Sequence, residues 1–491
     1  MRAWALRGSA VPLLLAVLVW LAGAQVALVS SIPSWANDEA PYVGYVAHLA
    51  EGRLPTIDSP IVADPGDVPR GARVLLGWDA AHKDTWVANH PPFYVALLVP
   101  VWELTRDDVS HVVIAMRLVN TAGYGVWVLL VGLLTRALVP RRPAVAALAT
   151  IVAVTPSLVL RSGFAQSDGW GSAAALLLLL MTVRMLHGGP EEVTRRRVVV
   201  AALAGTLAAG TRAPGVLAVA ACAIALGLAW LLSRRAARRP RYLVAAAVVG
   251  GVPAAATSWW YLRNLSLYGD LTGQGALLEK FQRSPVTSLA DLGRVPGFDE
   301  PILAASVAVV VGLLVVPVLA VRRLPLLPGA WRAGWRPDPG WLLLGSLSLV
   351  TFVNTAGFVR DGGGFHDRYT MQVIAFLATP VALAMVALLR PRREVARDGA
   401  ADWRRATGWS VVMTVWTVGG LAVLEWSTIF SYQQTYPAAG PWPWVLGLGA
   451  LAAAAAVPWV MRERTRHEAR REREAARPAA TPSATPAAPL R

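Results

Sequence analysis

The sequence predicts an all-α polytopic membrane protein with about twelve transmembrane helices, and three observations lead there. Its 491 residues are 55% hydrophobic and only 15% charged, more apolar surface than a soluble core of that size encloses. The apolar residues gather into runs close to the ~20 residues that cross a bilayer core. The cationic residues sit in short clusters between those runs, so the formal charge of +16 points to lipid headgroups and not to nucleic acid.

In chain order the runs cover residues 11–31, 118–138, 143–160, 171–187, 198–211, 213–233, 242–261, 301–321, 340–358, 370–389, 408–427 and 443–460. The fifth is short for a span, and Pro214–Gly215 separates it from the sixth. The first is short-flanked and ends in small residues, so a cleaved signal peptide is an alternative to a retained helix. With the N-terminus inside, about 32 of the 46 lysines and arginines fall in or beside inner loops, which is the positive-inside pattern. Clusters such as Arg234, Arg235, Arg238, Arg239 and Arg241 then face the cytoplasm, as do both termini. Residues 1–460 form one membrane domain. The stretch 461–491, Arg/Glu-rich and then Ala/Pro/Thr-rich, reads as a disordered cytoplasmic tail.

Two outer connections are long, about 32–117 and 262–300. Trp35, Tyr42, Tyr45, Trp78, Trp86, Phe93, Tyr94 and Trp102 make the first too aromatic for disorder. Within it, 39–51 and 93–105 read as short amphipathic helices lying along the membrane. The single cysteine, Cys222, lies in an apolar run and reads as a small core residue.

The residues able to do chemistry collect on the outer side. Asn37-Asp38-Glu39 follows the first span, where an acid caps a helix or serves as a reactive carboxylate. In Asn89-His90-Pro91-Pro92-Phe93-Tyr94 the prolines fix an extended entry into a helix, and His90 is a surface residue or a phosphate donor. Arg117, in Arg117-Leu118-Val119-Asn120, either pairs with a first-loop carboxylate or snorkels. Asp168, in Gln166-Ser167-Asp168-Gly169, caps the fourth span or joins a site. Arg212, Arg263 (in Arg263-Asn264, continuing to Tyr268-Gly269-Asp270) and Arg368 (in His366-Asp367-Arg368-Tyr369) bind phosphate bidentately or anchor helices. Apolar runs and charge alone set the topology, and these motifs all fall on one side of it.

These residues resemble the GT-C membrane glycosyltransferases, in the branch of protein O-mannosyltransferases, aminoarabinose lipid A transferases and related bacterial membrane proteins. The resemblance rests on Asp38-Glu39 with Tyr42, Tyr45, Leu49 and Gly52-Arg53-Leu54-Pro55. It continues through His90-Pro91-Pro92-Phe93-Tyr94, Arg117-Leu118 and Asn120, Asp168, Arg263-Asn264 with Tyr268-Gly269-Asp270, and Arg368-Tyr369. It covers roughly residues 10–390 and is specific to the superfamily, not to a substrate. It implies a GT-C fold and an inverting transfer of a sugar from a polyprenyl-phosphate donor to an acceptor hydroxyl on a glycan, lipid or protein. It implies Asp38 as general base with Glu39 beside it, and Arg263, Arg368, Arg212 and His90 as donors to the leaving phosphate. Arg117, Asp168 and Tyr369 then border the substrate. His90 departs from the lysine of the aminoarabinose enzymes. Some members hold a divalent ion, and Glu39 with His90 would contribute to one, but two ligands do not make a site, so no cofactor is assigned.

The arginine- and alanine-rich composition suits a high-GC bacterium and hence decaprenyl or undecaprenyl carriers in its plasma membrane. The alternative functions are a transporter or flippase of lipid-linked substrates and a non-catalytic envelope scaffold. A transporter needs ionisable or broken helices near mid-membrane. Here the span centres are almost free of charge.

Overall fold

The computed structural model describes residues 9–30, 38–61, 84–232, 240–288, 291, 339–364, 370–389, 399–432 and 440–475. Among the described residues the chain is helical, with one isolated antiparallel bridge between Pro60 and Asp84 and no strand. The helices are α1 (Ala10–Val29), α2 (Glu39–Ala50), α3 (Phe93–Thr105), α4 (Val109–Leu138), α5 (Pro143–Ala153), α6 (Pro156–Ser162), α7 (Asp168–His187) and α8 (Arg195–Ala209). They continue as α9 (Ala213–Leu232), α10 (Pro240–Tyr268), α11 (Gln274–Lys280), α12 (Pro339–Arg360), α13 (Thr370–Leu388), α14 (Ala400–Tyr432) and α15 (Trp442–Ala475). Among the described residues eight are long and apolar enough to cross a membrane, or nine if α5 and α6 form one span. The chain is a multi-pass membrane protein. The expected run 301–321 lies outside the described residues.

Three elements differ from the sequence expectation, each for a local reason. The run 143–160 is not one helix: α5 and α6 meet at a 65° bend. Thr155 precedes Pro156, and the proline ring drives its neighbour out of the helical region. Thr155 is extended at φ −91°, ψ 156°, and its side-chain oxygen accepts from the Leu158 amide at 3.2 Å, starting α6 afresh. The break frees the Val154 carbonyl, which Thr417 of α14 satisfies at 2.9 Å, as an apolar surrounding demands. The run 198–211 yields α8, 15 residues long, which at 1.5 Å per residue is shorter than the ~30 Å hydrocarbon core.

The third difference is the charged stretch after Met461, expected to be disordered. It continues α15 as far as Ala475. Glu463 and Arg466 pair at 2.6 Å, one turn apart, and Thr465 meets Thr407 of α14 at 3.2 Å. Glu472 accepts from the Ala400 amide at 2.9 Å. These i,i+3 and interhelical bonds hold the segment helical. Residues 476–491 lie outside the described residues.

α1 packs against both α4 and α15. Small residues let the backbones approach: a Cβ on Gly132 of α4 would stand 2.6 Å from Pro12 of α1 and 2.6 Å from Thr150 of α5. At one end of this bundle sits a second apolar layer built on α2, α3 and the turn Trp86–Asn89, with Tyr42, Tyr45, Trp86, Tyr94, Leu98 and Trp260 buried in it. The expected helices 39–51 and 93–105 are α2 and α3, and they carry the candidate site.

Candidate active site

Two acidic neighbours have opposite environments. Glu39 opens α2 and is wholly buried. Its carboxylate receives both Nε and Nη2 of Arg117, at 2.8 and 2.7 Å, and the Ala165 amide at 2.8 Å. Arg117 spends Nη1 on the carbonyls of Ala27 and Ser30, 2.8 and 3.3 Å away, and packs 5.4 Å from the Phe164 ring. The pair therefore ties together the end of α1, the start of α2, α4 and the segment after α6. Of the two roles open to Arg117, pairing is the one found. With no surface exposed and its donors engaged, Arg117 is not available to bind a substrate phosphate. Glu39, equally enclosed, is not placed to exchange protons with a substrate or to ligate a metal with His90.

Asp38 is half-buried and stands in the left-handed region at φ 59°. It precedes α2 but makes no side-chain cap to it, which sets aside the helix-cap reading. Its Oδ1 instead accepts from the Trp86 indole N–H at 3.3 Å. A non-glycine residue at positive φ is unusual and collects at functional sites.

The turn Trp86–Asn89 is the hub of the layer. Trp86 faces Asp38 and packs edge-on against Phe281 at 5.8 Å. The carbonyl of Asn89 accepts from Trp260 at 3.3 Å and from Asn264 at 2.9 Å, both on α10. The His90 carbonyl accepts from Tyr45 at 3.0 Å, and His90 itself is half-buried at the mouth of the turn. Arg263 lies 4.6 Å over the Trp260 ring, with Nη2 held by the Pro55 carbonyl at 2.8 Å. Its Nη1 has no hydrogen-bond partner among the described residues. Asp38, His90 and Arg263 thus flank one turn.

Asp168 and Arg212 reach the same layer from below. Asp168 starts α7, and its Oδ1 is bonded by Arg212 from the turn between α8 and α9. Ser167, beside it, meets the Tyr42 hydroxyl at 2.7 Å. The Phe93 amide donates to the Gly210 carbonyl at 2.9 Å, docking α3 on the turn that holds Arg212. Tyr94 has a buried hydroxyl without a hydrogen-bond partner among the described residues. Burial first, then Tyr42, Tyr124, Glu39 and Asp168, pushes its pKa well up, so it stays a neutral phenol. Arg368 and Tyr369 lie outside the described residues.

Sequence reasoning named Tyr268-Gly269-Asp270 but missed how the strap after α10 is fastened, above all by Lys280. Tyr268 accepts from the Ile57 amide at 3.1 Å, and Asn89 donates to the Thr272 carbonyl at 3.1 Å. Asp270 accepts from Thr272, Gln274 and Gly275. Its burial raises the pKa, but these bonds outweigh it and hold the carboxyl below its usual range. Lys280, one of only two lysines in the chain, grips Asp58 at 2.6 Å and Asp84 at 2.7 Å. Burial lowers its pKa, yet the two carboxylates raise it further, so the clasp is charged at neutral pH. The rarity of lysine was the one sequence signal for it.

The layer is tightly fitted where α2 meets the outer segment. A Cβ on Gly44 would lie 2.7 Å from the Ile61 backbone and 2.9 Å from Thr85 Oγ1. Gly44→Val is therefore expected to destabilise the protein by about 1–3 kcal/mol through overpacking, read as a lowered melting temperature in detergent.

Beneath the Asp168–Arg212 pair a narrow crevice, with room for about one water molecule, lies between α4, α7, α9, α12 and α13. Trp127, Leu176, Pro214, Ala218, Leu347 and Phe376 make it mostly apolar, with Ser172 and Thr351 as its hydroxyls. Ser172 is one turn below Asp168, and Pro214 adjoins the Arg212 turn. Among the described residues no three His, Cys, Asp or Glu side chains converge to hold a metal.

Residues 78–279 match a family described as a predicted membrane protein (DUF2142). No curated protein matches the sequence. Among solved structures the chain is similar to ArnT from Cupriavidus metallidurans bound to undecaprenyl phosphate, at 15% identity and a TM-score of 0.46, over 92% of this chain and 76% of that one. It is similar to the Archaeoglobus fulgidus oligosaccharyltransferase, at 14% identity and 0.45, over 85% and 56%. It is also similar to the arabinosyltransferase EmbB from Mycobacterium smegmatis, at 15% identity and 0.43, over 93% and 41%.

Proposed function

We propose that the protein is an inverting glycosyltransferase that moves a sugar from a polyprenyl-phosphate donor to an acceptor hydroxyl at the extracytoplasmic face of a bacterial plasma membrane, with both termini cytoplasmic. One observation carries the reading: Asp38, strained and uncommitted to its helix, is held by the Trp86 N–H within a layer that also presents His90, Arg263, Asp168 and Arg212. In this reading the Asp38 carboxylate takes the proton of the acceptor hydroxyl as its oxygen attacks the anomeric carbon. The bond from that carbon to the phosphate oxygen breaks with its electron pair, and the configuration inverts. Charge grows on the departing phosphate, where fixed cationic donors are worth most. Arg263 has an unengaged Nη1, and His90 and Arg212 complete the described donors. Arg368, on sequence grounds, is a further one. Glu39 and Arg117 position Asp38 and do not touch the substrate.

The test uses the full chain in nanodiscs with a panel of decaprenyl- and undecaprenyl-phosphate pentoses and hexoses plus membrane extract as acceptor. Release of polyprenyl phosphate with inversion at the anomeric carbon, read by NMR of the product, is the expected result. Consumption of no donor above empty nanodiscs, or a product of retained configuration, would overturn the reading.

A further inference from the structure

The rim away from the candidate site carries its own cluster. α4 passes Arg117 at the site end and finishes at Leu138, and α7 leaves Asp168 and finishes at His187. Both therefore end on the far side, and each carries an arginine in its last turn, Arg136 and Arg184. The two ends touch, since His187 Nδ1 lies 3.1 Å from the Ala137 carbonyl. α8 carries Arg197 in its first turn close by, and α15 brings Arg464. Arg184 stands within electrostatic reach of Arg136 and Arg197, and Arg136 within reach of Arg464. Four helices thus bring four guanidinium groups to one patch.

Their pairing is uneven. On this rim Arg197 is bonded to Glu192, Arg466 to Glu463, Arg405 to Asp402, and Arg241 approaches Glu191 at 4.0 Å. Neither the Arg136 nor the Arg184 guanidinium has a hydrogen bond or ion pair among the described residues. Glu192 holds Arg197 and Glu468 stands near Arg464, whereas Arg136 and Arg184 face like charge, and an anion placed between these two removes their repulsion. A guanidinium fork matches the oxygens of a phosphate. Next to the patch, α8 turns Val199 and Leu203 outward, 44% and 63% exposed, an apolar wall on which acyl chains can lie. Free phosphate has no use for such a wall.

We propose that Arg136 and Arg184, flanked by Arg197 and Arg464, bind the phosphate of an anionic phospholipid in the leaflet opposite the candidate site. The chain binds this lipid as a structural ligand between helix ends, at the depth where basic pockets meet headgroups. The inference stands apart from the proposed glycosyl transfer.

Native mass spectrometry of the full chain in detergent tests it, with phosphatidylglycerol and phosphatidylcholine supplied in equal amounts and thermal unfolding measured alongside. The native protein is expected to retain phosphatidylglycerol preferentially and to melt higher with it. In Arg136→Gln/Arg184→Gln the preference should fall about twenty-five-fold, from two charges each contributing roughly fivefold near an anionic headgroup. Arg470→Gln, an exposed arginine on the same side, should leave it unchanged. If the double variant does not fold, Arg136→Gln alone should lower the preference about fivefold. Equal retention of the two lipids by the native protein, or an undiminished preference in the variants, would overturn the proposal. Inorganic phosphate that stabilises the protein as much as the lipid does would overturn it too, by assigning the patch to a free anion.

Discussion

Arg117→Met is expected to destabilise the protein by about 3–5 kcal/mol, because it leaves the Glu39 carboxylate buried with no opposite charge. Glu39 and Arg117 have no exposed surface. The guanidinium also supplies the donors for the Ala27 and Ser30 carbonyls. Loss of the side chain therefore strands acceptors at the end of α1 as well as the acid on α2. The pair is the knot that fixes Asp38, one residue away, relative to the bundle. Thermal unfolding in detergent, followed by size-exclusion chromatography, reads the effect. A second variant separates burial of a lone charge from loss of packing. Glu39→Leu combined with Arg117→Met should recover much of the lost stability, since replacing both members of a buried pair with apolar groups is often near neutral. A single substitution that melts like the native protein would mean that the ion pair is not what joins α1, α2 and α4.

Much of this scaffold was legible because its determinants are local. Pro91-Pro92 ahead of an apolar stretch predicted 93–105, and α3 occupies Phe93–Thr105. The amphipathic stretch 39–51 became α2, Glu39–Ala50. The kink after α5 also had a local signal, Thr155 before Pro156, which the length of the apolar run obscured. The charged stretch after Met461 misled because composition was weighed above spacing: Glu463 and Arg466, and Glu468 and Arg471, sit one helical turn apart.

The side on which the candidate residues lie was legible, and their wiring was not. That Asp38, His90, Asp168, Arg212 and Arg263 would fall at one end of the bundle followed from topology. Which carboxylate pairs with which cation did not, because the partners lie far apart in the chain. Glu39 and Arg117 are 78 residues apart, Asp168 and Arg212 are 44 apart, and Trp86 is 48 from Asp38. Two adjacent acids look equivalent in a sequence. Only the packing shows that one is sealed against Arg117 while the other faces the Trp86 turn.

That difference makes Asp38→Asn the decisive substitution for the proposed chemistry. Asparagine tolerates the left-handed conformation at φ 59° as well as aspartate does. Its amide oxygen can still accept from the Trp86 indole at the position of Oδ1. Fold, insertion and melting temperature should therefore be unchanged. An amide, however, takes no proton from an acceptor hydroxyl at neutral pH. Transfer should fall about 10²–10⁴-fold, the usual contribution of a positioned general base. The loss should appear in kcat, with donor KM little affected, because no donor contact is removed. Glu39→Gln should behave differently, losing melting temperature together with activity, since it weakens the charge-assisted bonds from Arg117 that hold α2 in place. A shared fate for the two variants would merge both acids into one structural unit. Undiminished kcat in a folded Asp38→Asn protein would leave the acceptor proton to another group, and the strained backbone at Asp38 would then need a different explanation.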